Sequence, residues 1–366
     1  MKKTIVLLAG IALMAAGCTK TEVITSGTEG TQKGIGFSAY TSRTTKAAPQ
    51  QDVTNDNFNS FEVTAIGNGA VYFDNVTFTK ATVWESATKY FWPAYALDFY
   101  AYNTPANGNG TFTRNITTTN PQTLTYSPAA ELAKQEDLVA VSVTGKTESD
   151  NNASGAINLT FKHYLTQVIV KAKNSSSTYK VEVDGVKLAN FNNKGTYTFS
   201  SETMTADGTK TDYKETINLV ELSSTATEVM TDADNGRWYL VPQTVTAWDP
   251  ATDATNDHDG TYLALKVKIT ANSGALKIYP ATGDESAWMA IPIKSTDIAF
   301  AQGHKYTVTV DFFGSNGAGY VDPKDPGDLD GDAGTSDAGK KIIGGEIKFS
   351  ATVSEWTNES EITISL

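Results

Sequence analysis

The residues that could do covalent or metal chemistry are few, and their spacing is unfavourable. The chain of 366 residues holds three His, at 163, 258 and 304, and one Cys, Cys18. It contains no HExxH and no GxSxG motif, and no second Cys to act as a nucleophile. It also lacks a Walker or dinucleotide-binding glycine motif, and no spacing supports a serine triad. His163 follows Leu159 and Phe161 on one face and reads as a satisfied core histidine. His304 follows Gly303 at a turn, and His258 sits in an Asp-rich loop. The acidic run from Asp322 to Asp332 invites a Ca²⁺ reading, because hard cations want several oxygens from one loop. An EF-hand register from Asp328 fails. It puts Ala333 where Gly is required and Gly339 where the bidentate Glu belongs. The run therefore reads as a solvated hinge, and the Asp-rich stretches 232–236 and 249–260 as loops. No enzyme activity, metal or cofactor is expected.

The elements that carry these residues follow from composition. Asp and Glu number 41 against 29 Lys and Arg, a net charge of −12 with a pI near 4.8. A nucleic-acid partner is excluded, because neutralising phosphate needs a basic surface. Charged residues make up only 19%, below the usual ~25%, and 52 Thr fill the gap. Thr is β-branched and polar, so it suits strands with one face in water. Hydrophobic content of 40% supports a sizeable core, and the length suggests about two domains. A single Cys permits no intrachain disulfide. The composition fits an acidic all-β protein rather than collagen, a coiled coil or a polytopic membrane chain.

The N-terminus reads as a secretory signal over residues 1–17. Lys2 and Lys3 precede an apolar stretch from Ile5 to Ala16, too short to span a bilayer. Ala15-Ala16-Gly17-Cys18 resembles a bacterial lipobox, with Ala15 where Leu is preferred and Leu13 nearby. Cys18 would accept the lipid and anchor the chain without spanning the membrane. Residues 18–33 read as a flexible tether.

Beyond residue 34, period-2 apolar patterns dominate: Phe61-Val63-Ala65, Leu97-Phe99-Ala101, Ile157-Leu159-Phe161, Leu263-Leu265-Val267-Ile269 and others. These predict short strands with one wet face, packed as sandwiches. One stretch, Pro128 to Val139, looks helical. The polar run 146–155 predicts a boundary between an N-terminal domain, 34–150, and a C-terminal domain, 151–366. The Gly-, Asp- and Pro-rich 314–340 reads as a flexible arm before two terminal strands.

One strand pattern occurs twice. Residues 35–42 read Ile-Gly-Phe-Ser-Ala-Tyr-Thr-Ser, and residues 347–354 read Ile-Lys-Phe-Ser-Ala-Thr-Val-Ser. Five of these eight positions are identical, and the large apolar residues share one face. Such a strand can fill a groove with alternate side chains while its backbone pairs with an edge. The first copy, with Ile35, Phe37 and Ala39, runs into Arg43 and Thr44 and then a polar segment containing Pro49. Cleavage between Arg43 and Thr44 would release the 34–43 strand and leave unpaired edges. The second copy, with Ile347, Phe349, Ala351 and Val353 inside the 346–366 segment, could fill that groove in a neighbour, and repeated head to tail would build a filament. The pattern is also an inexpensive one that two β-domains can share by chance, or that pairs within one chain.

With these residues in hand, the sequence resembles the fimbrillin family, subunits of type V pili of anaerobic Gram-negative bacteria of gut and mouth. The resemblance runs in order along most of the chain. It is carried by the lipobox at Cys18, the strand from Ile35 to Arg43, and Trp92-Pro93-Ala94 leading to Leu97-Asp98-Phe99-Tyr100-Ala101-Tyr102. It continues through Leu159-Thr160-Phe161-Lys162-His163 with Val168-Ile169-Val170, Trp238-Tyr239-Leu240-Val241-Pro242-Gln243, Gly303-His304-Lys305-Tyr306-Thr307-Val308, and Ile347 to Trp356. It implies two tandem transthyretin-like β-sandwich (Greek-key) domains with a C-terminal two-strand segment. It implies export as a lipoprotein precursor to the outer membrane and cell surface, cleavage after Arg43 by an arginine-specific protease, and polymerisation with other pilus subunits by donor-strand exchange through 346–366. The alternative is a monomeric surface lipoprotein that binds glycans through exposed aromatics, for which Tyr90-Phe91-Trp92-Pro93 and Phe99-Tyr100-Tyr102 are candidates, although both clusters also read as sandwich core. A secreted hydrolase has no supporting motif.

Overall fold

A computed structural model describes residues 33–41, 53–81, 83–230, 236–252, 260–272, 274, 276–283, 285–293, 299–315, 317–332, 336–345, 347–355 and 362–365. Among them the regular structure is all-β, as expected, apart from two short 3-10 turns, Leu132–Lys134 and Glu148–Asp150. The first turn is all that forms where 128–139 looked helical. The backbone is extended at Glu131 and again at Gln135, so only one turn closes between them. No helix among the described residues is long and apolar enough to cross a membrane.

The first body is a seven-stranded sheet. Its order is Phe37–Thr41, Ile157–His163, Val139–Lys146, Leu97–Tyr102, Ser60–Gly67, Ala70–Thr79 and Glu85–Ser86. Strict alternation makes Ile157–His163 easy to understand. Ile157, Leu159, Phe161 and His163 point inward, and Asn158, Thr160 and Lys162 outward. The sheet curls around an aromatic core that includes Phe37, Phe61, Phe78, Phe99, Phe161 and Trp84.

The second body is a sandwich. One sheet runs Thr227–Glu228, Thr166–Asn174, His304–Phe312, Lys348–Glu355, Ile362–Ser365, with Trp238–Leu240 also paired to Thr166–Asn174. The other runs Lys210–Glu221, Tyr179–Asn192, Tyr262–Ala271, Ala287–Pro292, Tyr320–Val321, with Lys277–Tyr279 on Tyr262–Ala271. Both sheets feed one aliphatic core, with Val168, Val170, Val308 and Val310 from the first and Val181, Val183, Leu265 and Val267 from the second.

A small four-stranded sheet joins the bodies. Thr111–Asn115 and Thr123–Ser127 come from the first half of the chain, Gly195–Thr198 and Thr203–Ala206 from the second. Beneath it Tyr102, Tyr126, Tyr164, Tyr197 and Tyr239 share a third core. Two expectations change here. The polar 146–155 run is not a boundary between sheets: it connects Val139–Lys146 to Ile157–His163, which pair directly. The chain passes from the first body to the second at Tyr164 and Leu165, both fully buried. Polarity marked a turn, and a turn inside a sheet reads the same as a linker. Nor is 314–340 an arm. Within it Tyr320–Val321 pairs with Ala287–Pro292, and Ala318 and Asp322 are fully buried.

Candidate functional site

Residues 33–41 lie where the first sheet closes on itself. On one side Phe37–Thr41 runs parallel to Ile157–His163, with Phe37 opposite Ile157 and Thr41 opposite Phe161. On the other side it meets the opposite end of the sheet. Phe37 and Trp84 exchange backbone hydrogen bonds of 3.1 and 2.8 Å, and the Ile35 N–H donates to Tyr90 O at 2.8 Å. Gly36 makes this closeness possible, since a Cβ there would lie 2.7 Å from Val83 Cγ1. The hydroxyl of Tyr72 holds the 84–92 segment by donating to Phe91 O at 2.6 Å, and burial pushes that phenol above its ordinary pKa.

The side chains alternate as the sequence predicts. Ile35 and Phe37 are buried, Ala39 is half-buried, and Tyr40 points to solvent at 52% exposure. The Phe37 ring meets Phe61, Phe78 and Phe99 edge-on, with centroids 6.0, 4.8 and 5.2 Å away. Cys18, Arg43 and Thr44 lie outside the described residues.

Two groups absent from the sequence reading fix the chain on either side of 42–52. Asn55 clamps the end of the strand: its Oδ1 accepts from the Thr41 N–H at 2.8 Å, and its amide donates to Thr41 O at 3.3 Å. Asp137 Oδ2 accepts from the Val53 N–H at 3.3 Å and lies 2.6 Å from His163 Nδ1. His163 is therefore a buried core histidine that braces this corner. Neither contact has a local signal, because the partners are 14 and 84 residues apart.

The second copy of the pattern is seated differently. Lys348–Glu355 lies inside a sheet, antiparallel to both His304–Phe312 and Ile362–Ser365. Phe349, Ala351 and Val353 fall opposite Val310, Val308 and Tyr306. Ile347 and Ala351 are buried in the second body's core, with Val353 packed against it. Residues 348–355 thus fold back on their own chain.

The other candidates resolve as follows. In the acidic run, Asp322 is not solvated: it is fully buried against Lys187, 2.7 Å away. The carboxylates of Asp328, Asp330 and Asp337 converge, but an ammonium already occupies their neighbourhood, with Lys340 Nζ 3.4 Å from Asp330 and 2.5 Å from Asp337. Of the aromatic clusters, Trp92, Phe99, Tyr100 and Tyr102 are buried core and Phe91 is exposed; Tyr95, outside both clusters, is exposed as well.

A family model described as fimbrillin-like matches residues 22–322, so the chain belongs to the fimbrillin-like family. Among solved structures, it is similar to a candidate cell adhesion protein from Bacteroides uniformis, at 16% identity and a TM-score of 0.44, over 88% of this chain and 99% of that one. A candidate cell adhesion protein from Parabacteroides distasonis gives 9% identity and a TM-score of 0.48, over 90% and 98%. No curated protein matches the chain.

Proposed function

We propose that the chain is a structural and adhesive subunit of a type V pilus. It is exported as a lipoprotein precursor, acylated on Cys18 and held at the outer membrane. An arginine-specific protease cuts between Arg43 and Thr44, the 34–43 strand leaves, and a strand from another subunit takes its place. The observation that carries this reading is the seat of residues 33–41: a short strand between two backbone edges, with Ile35 and Phe37 buried in a core that other elements complete. Loss of the strand would expose those edges and an aromatic groove. Refilling it with large apolar side chains returns ~1.5–3 kcal/mol each.

The Ile347, Phe349, Ala351 and Val353 strand has the pattern to fill the seat in a neighbour. It would first have to leave His304–Phe312, to which eight residues are paired. A chain that releases it acts as a shaft subunit; one that keeps it acts at a tip or an anchor.

Digestion with an arginine-specific protease, followed by mass measurement and denaturing electrophoresis, tests the reading. The expected result is a chain beginning at Thr44 that forms a detergent-resistant ladder, abolished by deleting 346–366. Cleavage without a ladder assigns a tip or anchor role. An uncut, monomeric protein removes the polymerisation reading. It would favour the glycan-binding alternative, for which exposed Phe91 and Tyr95 are the surface to probe.

A further inference from the structure

The outward face of the sheet that contains Tyr179–Asn192 and Tyr262–Ala271 carries a buried cation. Lys187, Ala264, Ala290 and Tyr320 stand in one row across four adjacent strands. The two alanines leave room for the Lys187 stem to lie along the row. Trp288 and Tyr262 wall it in, with ring centroids 5.0 and 5.6 Å from the ammonium. The chain after Tyr320–Val321 then folds over the top, fixed by the Asp322 N–H donating to Trp288 O at 3.1 Å. The side chains of Lys187 and Asp322 are 1% and 0% exposed. Lys187 Nζ lies 2.7 Å from Asp322 Oδ2 and 3.0 Å from Asp325 Oδ2.

The two oxygens of Asp322 have different surroundings. Oδ1 accepts three hydrogen bonds, from the Tyr262 hydroxyl at 3.0 Å, the Lys324 N–H at 2.8 Å and the Asp325 N–H at 3.0 Å. Oδ2 accepts no hydrogen bond of normal angle, although Lys187 is in ion-pair contact. Fixed donors on one oxygen, an amine beside the other and a carboxylate next to that amine are what acyl substitution requires. A plain ion pair at this depth would gain little over apolar packing.

We propose that Lys187 and Asp322 condense into an intramolecular amide, with Asp325 moving the protons. One proton passes from the Lys187 ammonium to Asp322 Oδ2, giving an amine and a carboxylic acid. The Nζ lone pair attacks Asp322 Cγ, and the charge that develops on Oδ1 is held by Tyr262 and the two backbone N–H groups. Asp325 takes a proton from Nζ and returns it to Oδ2. The Cγ–Oδ2 bond breaks, Oδ2 leaves as water, and the Nζ–Cγ amide remains. No oxidant or cofactor is consumed. Burial raises the Asp325 carboxyl, but the ammonium of Lys187, with Lys214 and Lys324, outweighs this and holds it below the usual carboxylate range, so it stands ionised beside Nζ. The link ties Tyr179–Asn192 to the segment after Tyr320–Val321 across two intervening strands. Closing so long a loop covalently restricts the unfolded chain.

Peptide mapping of the folded full chain by mass spectrometry tests this. The expected product is a branched peptide joining Lys187 to Asp322, lighter by one water than its two linear parts. Lys187→Arg, which keeps the charge, should abolish it, and Asp325→Asn should slow its formation about a hundredfold. Recovery of both residues only in linear peptides from the wild-type chain, after prolonged incubation at neutral pH, would overturn the proposal and leave a buried ion pair. That wild-type reading needs no variant to fold.

Discussion

Residues 35–41 and 347–355 carry the same side-chain pattern and occupy different backbone environments. The first copy runs parallel to Ile157–His163 and touches the Trp84 segment through isolated bridges. The second is paired antiparallel along Lys348–Glu355 on one side and over Ser350–Val353 on the other. Alternating Ile, Phe and Ala thus specifies a groove with alternate pockets. It specifies neither the direction of the partner strand nor which chain supplies it. That indifference is what a strand needs if one copy is to stand in for another, and it locates the difference between the copies in how each is held at its ends.

Substitutions can break or sharpen this contrast. The largest effect is expected from Phe37→Ala. The ring is fully buried among three other Phe rings, and such truncations cost ~3–5 kcal/mol. Denaturant unfolding should show the loss as a lowered midpoint. Ile347→Ala truncates the second copy at the position that matches Ile35. Ile347 sits at the margin of its core, so its cost should fall at the low end for such changes, about 2 kcal/mol. A loss as large as that from Phe37→Ala would mean that Ile347 is held more deeply than its place at the core margin implies.

Asn55→Ala tests the clamp on Thr41. Losing that acceptor should cost ~1 kcal/mol. Amide exchange should quicken over 37–41 and stay unchanged over 348–355. Exchange that rises equally in both would argue against a local clamp.

The smallest effect concerns acid stability. Arg114 grips Asp74 with two hydrogen bonds of 2.6 and 2.8 Å, and that contact, against some desolvation, lowers the Asp74 pKa. A folded pKa below the unfolded value gives stability that is present above the unfolded value, ~3.9, and is lost as pH falls through the folded one. Asp74→Asn should therefore cost ~0.2–1 kcal/mol at neutral pH, at the contact between the first body and the joining sheet. The difference should vanish in strong acid. A deficit that persists there would point to packing instead of charge.

Much of the architecture was legible because it is local. Alternation over Ile157–His163 exposes a strand and its inner face, and it places His163 inward with Leu159 and Phe161. The misread features are those where local polarity has two meanings. The 146–155 run is a turn within a sheet, and Asp322, in a run that looks solvated, is buried because Lys187, far away in sequence, lies across from it. The small sheet that joins Thr123–Ser127 to Gly195–Thr198 left no trace either, since strand partners are chosen by three-dimensional register rather than by spacing.

The sequence by itself determined the all-β class, the inward faces of the strands and the repeated pattern at 35–42 and 347–354. Each depends only on neighbours two residues apart, the period of a pleated strand. Tertiary structure alone decided that the first copy closes a sheet between Ile157–His163 and Trp84, that the second folds back on His304–Phe312, and that Lys187 meets Asp322. Those outcomes depend on contacts between residues distant in the chain, which no local pattern encodes.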